Sequence, residues 1–70
     1  MTDRKRIFRG DRLKAIREAR GLTQDELNTR LSFGANQVYK YESGKSDPGS
    51  ETLARLAQEL EVTTDWLLGL

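Results

Sequence analysis

The stretch Ala35 to Lys40, ANQVYK, puts two carboxamides and an ammonium group within six residues. Asn36 and Gln37 can each donate and accept at once, which suits the paired donor and acceptor on the major-groove edge of adenine. Lys40 can donate to the guanine acceptors, and Ala35 can touch a thymine methyl. A solvated polar face has the same make-up, and for this stretch alone that plainer account is the better one. Other chemistry has little material here. There is no cysteine and no histidine, and the acidic residues lie singly along helix faces with no convergent cluster, so neither an enzyme nor a cofactor, metal or small-molecule substrate is expected.

The elements that must position these side chains can be read from local signals. Leu13 and Ile16 recur at helical spacing, Asp11 sits in a first turn, and Gly21 follows Arg20, giving a helix of about ten residues from Gly10 with a left-handed stop. Thr23 with Glu26 three residues on forms a capping box for a second helix whose inner stripe is Leu27 and Leu31. Ser32, Phe33 and Gly34 interrupt it. A third helix is expected over about 35–43, with Val38 and Tyr41 inward and Ala35, Asn36, Gln37, Tyr39 and Lys40 outward. Ser43-Gly44 stops it. The loop KSDPG precedes a fourth helix capped by Ser50, with Leu53, Leu56, Ala57 and Leu60 on one side. Thr63 or Thr64 caps a short fifth, and Trp66 and Leu67 are expected to close the core.

Seventy residues make one small domain, near the lower size limit for folding without staples. No apolar run approaches the roughly 18 residues that span a bilayer, and a soluble cytoplasmic protein is expected. Net charge is only +1, but residues 1 to 20 carry eight Lys/Arg against three Asp/Glu, while residues 50 to 70 carry one against four. Such asymmetry favours a polyanion at the basic end. Simple solubility explains it nearly as well.

Spacing decides between these readings. LTQDEL (Leu22 to Leu27), Leu31, Val38, YESGK (Tyr41 to Lys45), Pro48, ETLARLAQEL (Glu51 to Leu60) and VTTDWLLG (Val62 to Gly69) together resemble the Cro and phage-repressor type (XRE family) of helix-turn-helix protein, from about Gly10 to Leu70. The resemblance implies an all-α, five-helix lambda-repressor-like DNA-binding domain with the helix-turn-helix formed by helices 2 and 3. It implies base contacts from Ala35, Asn36, Gln37, Tyr39 and Lys40, with Tyr39 standing where a small polar residue is common. Gln24 matches a position that bonds a DNA phosphate and braces the recognition helix; Thr23 is either a pure cap or a cap that also meets phosphate. Ser43 and Lys45 match backbone contacts where main-chain amides and a lysine face phosphate. Arg17 and Glu42 match a salt bridge between helices 1 and 3, which leaves Arg17 as a brace rather than a phosphate ligand. Three positions depart from the pattern: Asn28 replaces a small residue at a close helix crossing, and Ser32 and Glu61 replace glycines.

The implied function is a sequence-specific transcription regulator of repressor type that binds a double-stranded DNA operator as a homodimer, with Leu68 and Leu70 as interface candidates. The alternative is an antitoxin-type module that binds a toxin and regulates its own operon. Residues 1–9 are read as a flexible basic arm, in which Arg4, Lys5, Arg6 and Arg9 supply non-specific attraction, and residues 10–70 as the domain. The chain is compatible with a whole small regulator or with the DNA-binding part of a longer one.

Overall fold

The computed structural model describes residues 8–70, through which run α1 (Gly10–Ala19), α2 (Gln24–Leu31), α3 (Gln37–Ser43), α4 (Ser50–Leu60) and α5 (Thr64–Leu67). The all-α, five-helix architecture expected from sequence is present among these residues. Of the proposed arm, residues 1–7 lie outside them. Phe8 and Arg9 belong to the domain instead: Phe8 is buried in the core and the Arg9 amide donates to the Leu67 carbonyl at 2.8 Å. Burying a phenylalanine is worth a few kcal/mol, enough to hold two residues of chain against their entropy.

All five helices end alike. A residue with positive φ follows each last turn, namely Gly21, Ser32, Gly44, Glu61 and Gly69. The next amide then reaches back five residues: Leu22 to Arg17 O, Phe33 to Asn28 O, Lys45 to Lys40 O, Val62 to Ala57 O and Leu70 to Asp65 O, all at 2.9–3.1 Å. These Schellman closures satisfy carbonyls that a helix end leaves orphaned, and an apolar residue after the stop usually packs back onto the last turn. Leu22, Phe33 and Val62 do so against the core. The polar exception is Lys45, at the exit of α3.

Ser32 and Glu61 hold the left-handed conformation at φ 57° and 60° without being glycine, at a cost of about 1–2 kcal/mol each. Part of that would be recovered by glycine, less the extra freedom glycine gives the unfolded chain. Glu61→Gly is therefore expected to stabilise by about 0.5–1 kcal/mol, read as a raised midpoint in a urea melt. A lowered midpoint would mean that the Glu61 backbone is not strained.

α3 lies across α1 and α2, while α5 bridges α1 and α4. Leu13, Leu27, Val38, Leu56, Leu60 and Leu67 are fully buried where they meet. Tyr41 joins the two ends of the motif, edge-on to Phe33 in the turn (5.9 Å) and to Phe8 (6.4 Å). Gly10 permits the closest approach: a Cβ there would meet the carbonyl oxygens of Tyr41 and Glu42 at 2.6 Å, so the start of α1 sits directly on the exit of α3.

Two boundaries differ from the sequence expectation. Gly49, not Ser50, is the N-cap residue of α4, and no side chain caps it; Ser50 is already helical. The third helix begins at Gln37 rather than Ala35, because Asn36 is left-handed (φ 65°) and cannot continue a right-handed turn. Ala35 and Asn36 therefore belong to the turn. Thr63 is the residue that caps α5, accepting from the Trp66 amide at 3.0 Å.

Candidate nucleic-acid interface

α3 is only seven residues long, too short to persist alone, and three contacts fix it. Val38 and Tyr41 bury its inner side. The Asn36 side chain makes no cap; instead, Asn28 reaches across from α2 and its Oδ1 accepts the Val38 amide at 3.0 Å in a buried setting. A carboxamide of one helix thus caps the start of the next. That explains the departure at position 28: the side chain fills the crossing and satisfies an amide that alanine would leave bare.

The third contact is a buried polar cluster. Arg17 Nε donates to Glu42 Oε2 at 2.6 Å and its terminal nitrogens donate to Glu42 Oε1 at 3.2 Å and to the Leu22 carbonyl at 2.7 Å. Both side chains are nearly sealed, 8% and 5% exposed. Glu42 Oε1 also accepts from the Gln24 amide at 2.9 Å. The Glu42 hydrogen bond raises the Arg17 pKa above the ordinary arginine value, against a smaller opposing effect of burial. Arg17 is held as a brace between α1, the α1–α2 turn and α3.

The outer side of α3 is correspondingly free. Ala35, Asn36, Tyr39 and Lys40 are exposed and Gln37 is half-buried. All five sequence-predicted base readers thus lie at the tip or on the outer face of one short helix, held from behind. A model of the helix-turn-helix domain matches residues 10–70. The chain belongs to the helix-turn-helix family, in its Cro and phage-repressor type.

Among curated relatives, it is 42% identical to the HTH-type transcriptional regulator ImmR of Bacillus subtilis over 86% of this chain and 47% of that protein. It is 34% identical to the cryptic phage CTXphi transcriptional repressor RstR of Vibrio cholerae, over 84% and 53%. A third relative, the HTH-type transcriptional activator BcrR of Enterococcus faecalis, is 34% identical over 83% of this chain and 28% of its own length. The chain thus spans about half, or less, of these three relatives.

In this helix-turn-helix protein the four predicted phosphate residues are not equivalent. Thr23 is committed to its capping box, its hydroxyl accepting the Glu26 amide at 3.0 Å while its own amide donates to Glu26 Oε1 at 2.8 Å. Gln24 spends one amide hydrogen on Glu42 and keeps the other. Ser43 donates to the Lys40 carbonyl at 3.3 Å. At the exit, the expectation of free main-chain amides is corrected: those of Gly44, Lys45 and Ser46 all turn back onto carbonyls of α3, because a Schellman stop consumes them. The Lys45 ammonium is exposed, while the Ser43 hydroxyl is spent on the Lys40 carbonyl.

Two arginines of the basic end, Arg9 and Arg12, are engaged within the described residues. Arg12 donates to the Trp66 carbonyl at 2.9 Å and lies 5.2 Å from the centre of its ring, and Arg9 is paired with Asp11 at 2.8 Å. No local pattern marks the role of Arg12, whose partner is 54 residues away. Of the two dimer candidates, Leu68 is partly covered by the core and Leu70 is 79% exposed. Among the described residues no helix is long and apolar enough to cross a membrane.

Proposed function

We propose that this protein is a sequence-specific transcription regulator of repressor type that inserts α3, with the turn before it, into the major groove of double-stranded DNA. The observation that carries the reading is the two-sidedness of α3. Its inner face is fixed by Val38, Tyr41 and Asn28, and its outer face together with the turn before it presents a methyl group, two carboxamides and an ammonium on the solvent side. Those are the groups that distinguish base edges in the major groove. Two copies joined near the exposed Leu70 would set two such helices about one DNA turn, roughly 34 Å, apart on a pseudo-palindromic operator. Repression follows where that operator overlaps a promoter. The phage repressor among the relatives supports this sense.

Selection from a random duplex pool tests the reading. The expected product is a motif of two dyad-related half-sites about 10 base pairs apart. Lys40→Ala and Asn36→Gly should each change the preference at one base pair per half-site, by about 1–3 kcal/mol. Glycine is used at Asn36 because it removes the carboxamide and keeps the left-handed turn, whereas alanine would add strain there. An unchanged motif in both variants would overturn the assignment of base readers, and a single half-site would overturn the dimer.

A further inference from the structure

A sorting of the cations points to one more contact. All six arginines among the described residues are engaged within the fold: Arg9 with Asp11, Arg12 with the Trp66 carbonyl, Arg17 with Glu42, Arg20 with the Leu60 carbonyl, Arg30 with Glu59 and Arg55 with the Leu31 carbonyl. The three described lysines, Lys14, Lys40 and Lys45, make no such bond. Two of them are already placed at the DNA face as a base reader and a backbone contact. The third, Lys14 on α1, has no role in holding the fold.

Lys14 lines a solvent-open cleft of about 210 Å³ between α1, α2 and α3, shared with Gln24, Tyr39, Glu42 and Ser43. Gln24 and Ser43 are two of the residues expected to meet phosphate, and the fold brings them to one concavity although 19 positions separate them in the sequence. The one acid in the lining, Glu42, is 5% exposed and its oxygens are occupied by Arg17 and Gln24. Its charge is matched by Arg17, so the net charge of the cleft is that of Lys14. Tyr39 is 44% exposed and its ring lies at this edge, where its hydroxyl is a donor without a partner in the fold.

We propose that this cleft seats one phosphate of the DNA backbone, with Lys14 as a further phosphate contact on α1 and Tyr39 donating there rather than reading a base. The inference rests on the proposed DNA binding. Its chemistry is a cation and two neutral donors, the Tyr39 hydroxyl and the second amide hydrogen of Gln24, at an open cleft of about 210 Å³, with the Ser43 hydroxyl, which donates to the Lys40 carbonyl, in the same lining. Tyr39 then fixes register, and the base-reading set shrinks to Ala35, Asn36, Gln37 and Lys40.

The test uses the selected operator duplex. Lys14→Gln should lower the magnitude of the log–log salt slope by about 0.9, leave the selected sequence unchanged, and abolish ethylation interference at one phosphate per half-site. Tyr39→Phe should weaken binding several-fold with the selected sequence unchanged. Both positions are exposed, so urea melts should match the parent protein, which separates contact from folding. An unaltered salt slope or interference pattern in Lys14→Gln overturns the phosphate seat. A changed base preference, or undiminished affinity, in Tyr39→Phe overturns the role given to Tyr39. If the parent protein selects no sequence and shows no salt-dependent duplex binding, the DNA-binding reading fails and the seat with it; if it selects an operator normally, failure of either variant counts against the cleft alone.

Discussion

Arg17→Ala is expected to lower stability by about 3–5 kcal/mol, because it leaves the Glu42 carboxylate buried beside nothing but an amide. For a domain of 70 residues that is a large part of a total of about 4–10 kcal/mol. The loss should be read as a shift of the midpoint in a urea melt. A loss below about 1 kcal/mol would mean that the pair is no brace, since that is the size of an exposed ion pair. The partner experiment separates charge from packing. Arg17→Met with Glu42→Leu removes both charges while keeping volume, and apolar replacement of a buried pair is often neutral or stabilising. Stability should return, yet DNA affinity should stay below the parent's, because Gln24 loses the acceptor at 2.9 Å that fixes its amide. Protonation does not complicate this result on the alkaline side. A raised arginine pKa means that the stabilisation from Arg17 is fully present below the unfolded value and lost only as pH climbs through the folded one, beyond the range in which the domain would be studied.

Asn28→Ala carries the second large effect. It strips the buried Val38 amide of its acceptor at 3.0 Å, and a buried donor left unsatisfied costs about 1–3 kcal/mol. The damage should be local as well as global, because Val38 is the second residue of a seven-residue helix whose own N-cap residue offers no side-chain bond. Hydrogen exchange at the Val38 amide should accelerate beyond what the global loss explains, and operator affinity should fall under conditions where the variant is still folded. Unchanged exchange at Val38 would show that α3 is held by its apolar side alone. A smaller residue at this crossing would require some other means of satisfying that amide.

These two residues mark the boundary of what sequence reasoning reached. Arg17 with Glu42 was legible through resemblance, and possible bonding by Asn28 could be foreseen from its place at a helix crossing. That Asn28 caps α3, and that α3 consequently starts at Gln37 with Asn36 left-handed, was not. A helix start is readable when its cap lies in the adjoining residues, as for Thr23 and Glu26, and unreadable when a side chain 10 positions earlier supplies it.

The chain's sequence by itself determined the helices, their stops and the buried stripe. Leu27, Leu31, Val38, Tyr41, Leu56 and Leu60 repeat at helical spacing, and Gly21 and Gly44 stand where left-handed stops are needed; these are interactions within a turn or two of chain. Only the tertiary structure decided what the charged residues are for. Arg9, Arg12 and Arg17 look alike in a basic segment, as does Lys14, yet the first three are tied to Asp11, Trp66 and Glu42 while Lys14 faces an open cleft. The reason is range. Hydrophobic periodicity and capping act over three to five residues and leave a pattern in the sequence, whereas the partner of a long polar side chain is set by which helices the packed core brings together.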